Sequence, residues 1–364
     1  MGEVQSASLS AQLQRRIHAV MASDGGWLPF DRFMAMALYE PGLGYYAHDS
    51  RKFGQMPSSG SDFVTAPEMS PLFGRALAVQ VAQALQACES GEIWEFGAGS
   101  GALAAQLLAE LGERVPAYHV VELSAALRER QVQRLQPWAG HVHWHDRLPA
   151  RIDGVLLGNE VLDAMPVQLL HWDGRDWFER GVVAAGGDFA WQDRPTTLRP
   201  PAGNLLPGTV VEIHAQAEAF VRTLADRMGR AAAFFIDYGF PEAEYYHPQR
   251  IGGTLMCHRA HRADDDPLTD VGLKDITAHV NFSGIALAAQ EAGLEVLGYT
   301  SQARFLVNCG LPALMQGAGT AEAVAALRLI DEHEMGELFK VVGLARGVGF
   351  DALGFRGGDR SHRL

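Results

Sequence analysis

Apolar residues recur along this chain in two spacings. From residue 91 onward, short apolar runs near 92–97, 117–122, 141–145, 153–158, 231–237, 294–300 and 338–346 predict strands. Between them, stretches near 101–112, 124–136, 214–229, 282–292 and 319–332 repeat apolar residues at helical spacing. Alternating strands and helices imply an α/β domain over 91–350, with a mainly parallel, doubly wound sheet. Residues 1–90 have another texture, rich in turns such as Gly25-Gly26, Pro41-Gly42-Leu43-Gly44 and Pro57-Ser58-Ser59-Gly60. We expect there a helical cap, with residues 30–75 folding over the cleft as a lid and Leu9, Leu13, Ile17, Val20 and Met21 forming one face of a docking helix.

Two stretches interrupt the alternation. Residues 164–208 carry Trp172, Trp177 and Trp191 with the turn pairs Asp173-Gly174 and Gly186-Gly187, which predicts an inserted hairpin or small sheet. Residues 239–281 are polar, with the acid run Asp264-Asp265-Asp266, and read as a long active-site loop region. Residues 351–364, glycine- and arginine-rich from Gly354, are expected to form a flexible tail.

The chemistry begins at the first of these strands. Ile93 to Phe96 breaks at Gly97, Gly99 and Gly101, with Ser100 between the last two, and a helix starts at once. Strand, glycine turn and helix make a site for a nucleotide-bearing cofactor, because glycine lets the backbone approach the ligand and the helix start offers free N–H groups. The turn alone does not name the ligand: Gly97, Gly99 and Ala102 satisfy the dinucleotide fingerprint, with Glu122 placed to hold a ribose. Glu95 favours S-adenosyl-L-methionine over NAD, since a carboxylate repels a pyrophosphate and attracts an ammonium and a sulfonium.

Ligands of open parallel sheets bind beyond the carboxyl ends of the strands. Glu122 ends the second strand, and Asp146, after the third, is a candidate for the adenine amino group. Asn159-Glu160 ends the fourth strand and Asp237-Tyr238-Gly239 the fifth. Any one of these suits a helix cap or turn; together they converge on one crevice. Glu160 and Asp163, three apart, share a face of a helical turn and could grip a guanidinium, although Asp163 also fits a solvated surface acid. Thr65 and Glu68 add polar groups in a stretch suited to closing on a ligand.

Composition narrows the classes. Hydrophobic residues make up 48% and charged residues 20%, as in globular chains. The net charge of −13 argues against non-specific nucleic-acid binding, which draws its affinity from a basic footprint. Cys88, Cys257 and Cys309 are far apart, so neither a disulfide framework nor a metal site is expected. No apolar run is long enough to predict a membrane span. Residues 4–20 lack acids and carry Arg15 and Arg16, faintly like a transit peptide, but the docking helix accounts for them better.

Several motifs then converge on one family. Leu38-Tyr39-Glu40-Pro41-Gly42-Leu43-Gly44-Tyr45-Tyr46, Asp62 to Glu68 with Phe73-Gly74, Glu95 to Gly101, Gly158 to Pro166, Asp237-Tyr238-Gly239, Asp275 to Phe282 and Met335 to Lys340 together resemble the MidA-like family of SAM-dependent methyltransferases. The resemblance runs from about residue 10 to 346 and implies the seven-stranded class I methyltransferase (Rossmann-like) fold, with S-adenosyl-L-methionine as cofactor. It also implies a protein substrate methylated on arginine, of the respiratory complex I type, in the bacterial cytoplasm or the mitochondrial matrix of a eukaryote. Glu160 and Asp163, with His279 or Asp275, would then orient the guanidinium and take its proton, while His279 equally suits a structural hydrogen bond. Asn281 and Ser61 depart from the Asp and Gly of many relatives, and Asn cannot supply a charge. An NAD(P)-linked oxidoreductase and a non-catalytic SAM-binding assembly factor are the competing readings; oligomeric state is left open.

Overall fold

The computed structural model describes residues 3–47, 64–201 and 205–364, so the turn at 57–60, Ser61 and Asp62 lie outside the described residues. The chain opens with α1 (Glu3–Ser23), β1 (Trp27–Pro29) and α2 (Phe30–Tyr39), followed by α3 (Ala66–Met69) and α4 (Pro71–Cys88). Ser70 caps α4 by accepting the Leu72 N–H, and Pro71 suits the first helical position because it lacks a donor there. The main alternation follows as β2 (Glu92–Phe96), α5 (Ala102–Leu111), β3 (Ala117–Val121), α6 (Ala125–Arg134), β4 (Val142–His145) and β5 (Ile152–Asn159). An insertion supplies β6 (Gln168–Trp172), β7 (Trp177–Ala185), β8 (Asp188–Pro195) and β9 (Val210–Ile213). Next come α7 (Ala215–Arg227), β10 (Met228–Phe240), α8 (Glu242–Tyr245), β11 (Met256–Arg259), β12 (Arg262–Asp264) and β13 (Asp275–Thr277). The chain finishes with β14 (Val280–Asn281), α9 (Phe282–Glu291), β15 (Glu295–Ser301), α10 (Gln302–Asn308), α11 (Leu311–Gln316), α12 (Thr320–Ile330), α13 (Met335–Leu338) and β16 (Phe339–Arg346).

The main sheet runs β15-β16-β10-β5-β2-β3-β4, with β14 paired to the end of β10. All pairings are parallel except the two made by β16. The central strands β5 and β10 are buried on both faces, which is why Val155-Leu156-Leu157 and Ala231 to Ile236 are continuous apolar runs rather than alternating ones. From β2 the chain winds outward through β3 and β4, then returns to β5 on the other side of β2. That reversal opens a crevice at the carboxyl ends of β2 and β5.

The second sheet is antiparallel, in the order β1-β7-β6-β9 with β8 on β7. It reaches past 164–208 to include β9, and it recruits β1 from the N-terminal region. Leu13, Ile17 and Met21 of α1 and Phe30, Phe33 and Met34 of α2 share a core with Leu169, Val182 and Ile276. The cap and the insertion thus bury one another's apolar faces, which neither does alone.

Two expectations are corrected. The region 239–281 is not one long loop, since β12-β11-β13 form a small sheet around buried Cys257 and Ile276. Its polar texture arises because buried Lys274 is satisfied by Asp264 at 2.8 Å and Thr269 at 2.8 Å. The C-terminal tail is likewise packed rather than free. Phe355 packs edge-on against Phe305 at 5.3 Å between ring centroids and occupies the space that side chains at Gly298 and Gly343 would fill. The Tyr299 N–H donates to Asp359 at 2.9 Å, and Arg360 pairs with Glu337. One buried aromatic and a few backbone bonds outweigh a flexible composition.

Candidate active site

A cavity of about 1120 Å³ lies over the carboxyl ends of β2, β3, β5 and β10. One lobe is built on the glycine turn. Gly97, Gly99 and Gly101 have φ of +60°, +54° and +80°, which glycine adopts without strain. Gln131 of α6 fixes this lobe by donating to the Gly99 carbonyl at 3.0 Å and to the Glu122 carboxylate at 2.9 Å. Glu122 also accepts the Ser124 N–H at 2.8 Å, so its carboxylate is held at the cavity wall.

Glu95 lines the same lobe, almost wholly buried, and accepts the Tyr118 hydroxyl at 2.8 Å. Burial pushes its pKa up to about 7, with the tyrosine bond opposing and Glu122 adding to the rise. Two carboxylates withdrawn from water on one wall suit a ligand that brings positive charge.

The second lobe is built on the turn after β5. Asn159 donates to Glu160 at 3.0 Å, and Glu160 stands in the left-handed region at φ +55°. The N–H groups of Val161, Leu162 and Asp163 then converge on one oxygen of buried Asp237, at 3.1, 2.9 and 3.2 Å. Tyr238 donates to Asp163, and Tyr46 donates to Asp275 at 2.8 Å. Tyr39, stacked on Tyr46 at 5.6 Å, donates to the Ala164 carbonyl. Glu160, Asp163 and Asp275 thereby line one lobe. Burial, then the Asp163 charge, raises Glu160 to about 8, and burial raises Asp163 to about 6.

The remaining site candidates divide. Thr65, Ser100, Asn159 and His279 line the cavity. Glu68 does not; it is held outside the wall by Ser100 and Arg134. Gly101 starts α5 behind the turn, against Gln131. Asp146 stands in solvent, its side chain 81% exposed and paired with Arg147, off the cavity wall. The chain bends after β4, and Arg147 and Leu148 reach the wall instead. Burial and the neighbouring Arg250 and Lys340 press His279 down to about 4, leaving a neutral ring. Asn281 caps α9 by accepting the Gly284 N–H and lies off the cavity wall. An amide serves there as well as a carboxylate. Sequence reasoning missed the roles of Tyr39, Tyr46 and Tyr238, and the anchoring role of Asp237; the Asp237-Tyr238 strand end was the available signal.

Residues 76–300 match the protein family described as "Putative S-adenosyl-L-methionine-dependent methyltransferase". The chain belongs to this family. It is similar along its full length to a candidate methyl transferase of Burkholderia thailandensis solved with S-adenosyl-homocysteine, at 47% identity and a TM-score of 0.96, covering 99% of that chain. A native structure from the same organism gives 46% identity and a TM-score of 0.92, with 100% of this chain and 99% of that one covered. Among curated proteins, the mitochondrial protein arginine methyltransferase NDUFAF7 of Danio rerio is 26% identical over 92% of this chain and 87% of its own length. The chain is therefore a SAM-dependent methyltransferase of the class I fold, and the NAD(P)-linked reading falls. The residues present fit the cofactor: the positive-φ glycines would admit it closely, the carboxylates of Glu95 and Glu122 on the wall would suit its cationic end and ribose hydroxyls, and Asn159 Oδ1 has no hydrogen-bond partner among the described residues. Also among the described residues, no helix is long and apolar enough to cross a membrane, and no side-chain group is arranged to hold a metal.

Proposed function

We propose that the chain methylates a guanidinium nitrogen of an arginine in a protein, of the respiratory complex I type implied by the family resemblance. The carrying observation is the acid lobe: Glu160, Asp163 and Asp275 line the cavity beside the cofactor lobe. S-adenosyl-L-methionine supplies an electrophilic methyl carbon. Glu160 and Asp163 hold the protonated guanidinium by charge-assisted hydrogen bonds, which lowers their own pKa values toward the ionised form. Tyr238 and Tyr46 fix Asp163 and Asp275, so the acceptor nitrogen is oriented rather than merely attracted. Glu160, the most strongly raised of the pair, takes the proton that the nitrogen loses. Neutral His279 borders this lobe and is a secondary candidate for relaying that proton.

The names of the curated relatives support the arginine reading, and their mitochondrial address supports the matrix for a eukaryotic form, with the cytoplasm for a bacterial one. Mass spectrometry of peptides from a deletion strain and its parent tests the proposal. A methylarginine present only in the parent, and restored by the purified enzyme, is the expected result. Restoration on another residue type would replace the acceptor class, and no difference at all would favour a non-catalytic assembly role.

A further inference from the structure

The acid lobe does not end at Asp163. From Tyr238, whose hydroxyl meets Asp163, a file of side chains leads outward: His279 packs edge-on at 5.1 Å, Phe240 on His279 at 5.2 Å, and the Arg250 guanidinium lies 4.4 Å from the Phe240 ring centroid. Arg250 and His279 both line the cavity. Arg250 is half-buried, yet among the described residues its guanidinium has no carboxylate partner; the one hydrogen bond described for it is to the Glu244 carbonyl at 3.5 Å. Its Nε and the His279 Nδ1 are both buried without a partner among the described residues. Lys340 adds a second cation 5.9 Å from the same Phe240 ring.

A guanidinium withdrawn from water without a counter-charge is unfavourable, and stacking on one aromatic ring offsets only about 1 kcal/mol of that. Such a group, facing a cavity with its donor free, is arranged to receive an anion. We propose that Arg250, with His279 beside it, forms a carboxylate subsite of the acceptor cavity, and that the enzyme selects acceptors carrying an acidic group near the target arginine. The inference rests on the arginine reading for the other end of the acceptor. Each step of the file is near 5 Å and an extended peptide spans about 3.3 Å per residue, so the acid falls within roughly four residues of the arginine. The carboxylate is supplied either by an Asp or Glu side chain or by a peptide C-terminus.

Calorimetric titration of short peptides into the full-length enzyme saturated with S-adenosylhomocysteine tests this. The peptides carry one arginine with glutamate or alanine at each of the four positions on either side, and matched alanine peptides end at each following position in a free or an amidated C-terminus. At one position, glutamate or the free terminus should tighten binding roughly tenfold over its neutral counterpart, and which of the two does so names the source. Arg250→Gln should abolish the difference and Arg250→Lys should keep part of it, with S-adenosylhomocysteine affinity unchanged in both. Equal binding of acidic and neutral peptides, including no binding of either, overturns the subsite, as does a preference that survives Arg250→Gln. A loss of S-adenosylhomocysteine affinity in Arg250→Gln also overturns it by assigning the residue to the cofactor. If replacing the peptide arginine by glutamine leaves the acid preference intact, the subsite stands and the arginine reading alone fails.

Discussion

The buried carboxylate of Asp237, at the end of β10, accepts the backbone N–H of Asp163 at 3.2 Å. The same oxygen accepts from Val161 and Leu162, so one side chain holds the whole turn that follows β5. That turn keeps Glu160 in its left-handed conformation beside Asp163, at the rim of the cofactor lobe. Asp237 itself is kept from water by burial and has Asp163 and Glu160 for charged neighbours, which push its pKa well above the ordinary range. Its role is to anchor backbone, and the chemistry is left to the residues it anchors.

Asp237→Ala should therefore lose both stability and turnover. Three N–H groups would lose their acceptor, at a cost of about 2–4 kcal/mol in total. Thermal unfolding should fall by several degrees, and methyl transfer should drop with it. Asp237→Asn keeps an accepting oxygen and should lie between. A wild-type melting temperature for Asp237→Ala would show that the turn holds itself.

Glu160→Gln should remove methyl transfer yet leave S-adenosylhomocysteine affinity within roughly tenfold of wild type, about 1.4 kcal/mol. The glycine turn, Glu95 and Glu122, which would hold the cofactor, line the other lobe, so the loss should fall on turnover. Asp163→Asn should behave alike but more mildly. Full turnover by Glu160→Gln would move the base to Asp275 or His279.

Glu160 should make the free enzyme less stable as pH rises from about 4.5 to about 8. Across that window the unfolded chain has lost the Glu160 proton while the folded chain, whose pKa is raised to about 8, still holds it. The folded state binds more protons there, so stability falls with rising pH. Glu95 acts in the same direction up to about 7. Melting curves at pH 5 and pH 8 should differ less in Glu160→Gln than in wild type, by at least about 3 °C. An unchanged difference would mean that Glu160 is ionised throughout.

Gly99→Val should abolish cofactor binding with the fold largely kept. Gly99 has φ +54°, where a β-branched residue is strained, and its backbone lines the cofactor lobe. Calorimetry with S-adenosyl-L-methionine and circular dichroism separate the outcomes. An unfolded variant would make the turn structural first.

Sequence alone determined the alternation of strands and helices in the main domain, because apolar spacing reports directly which face of an element is buried. It also gave the glycine turn, whose need for positive φ is a local property, and the acids at strand ends. Tertiary structure decided what each acid faces. Asp146 and Glu122 look alike in sequence as acids following successive strands, yet one stands in solvent and the other is clamped by Gln131. Likewise Tyr46 and Asp275 meet only because the cap and the small sheet β12-β11-β13 share a core, a contact between residues far apart in the chain. The tail followed the same rule: its composition predicted freedom, but a pocket for Phe355 exists only once Gly298 and Gly343 are brought side by side in paired strands. Local spacing fixes elements, whereas burial, and with it pKa and function, belongs to the assembled neighbours.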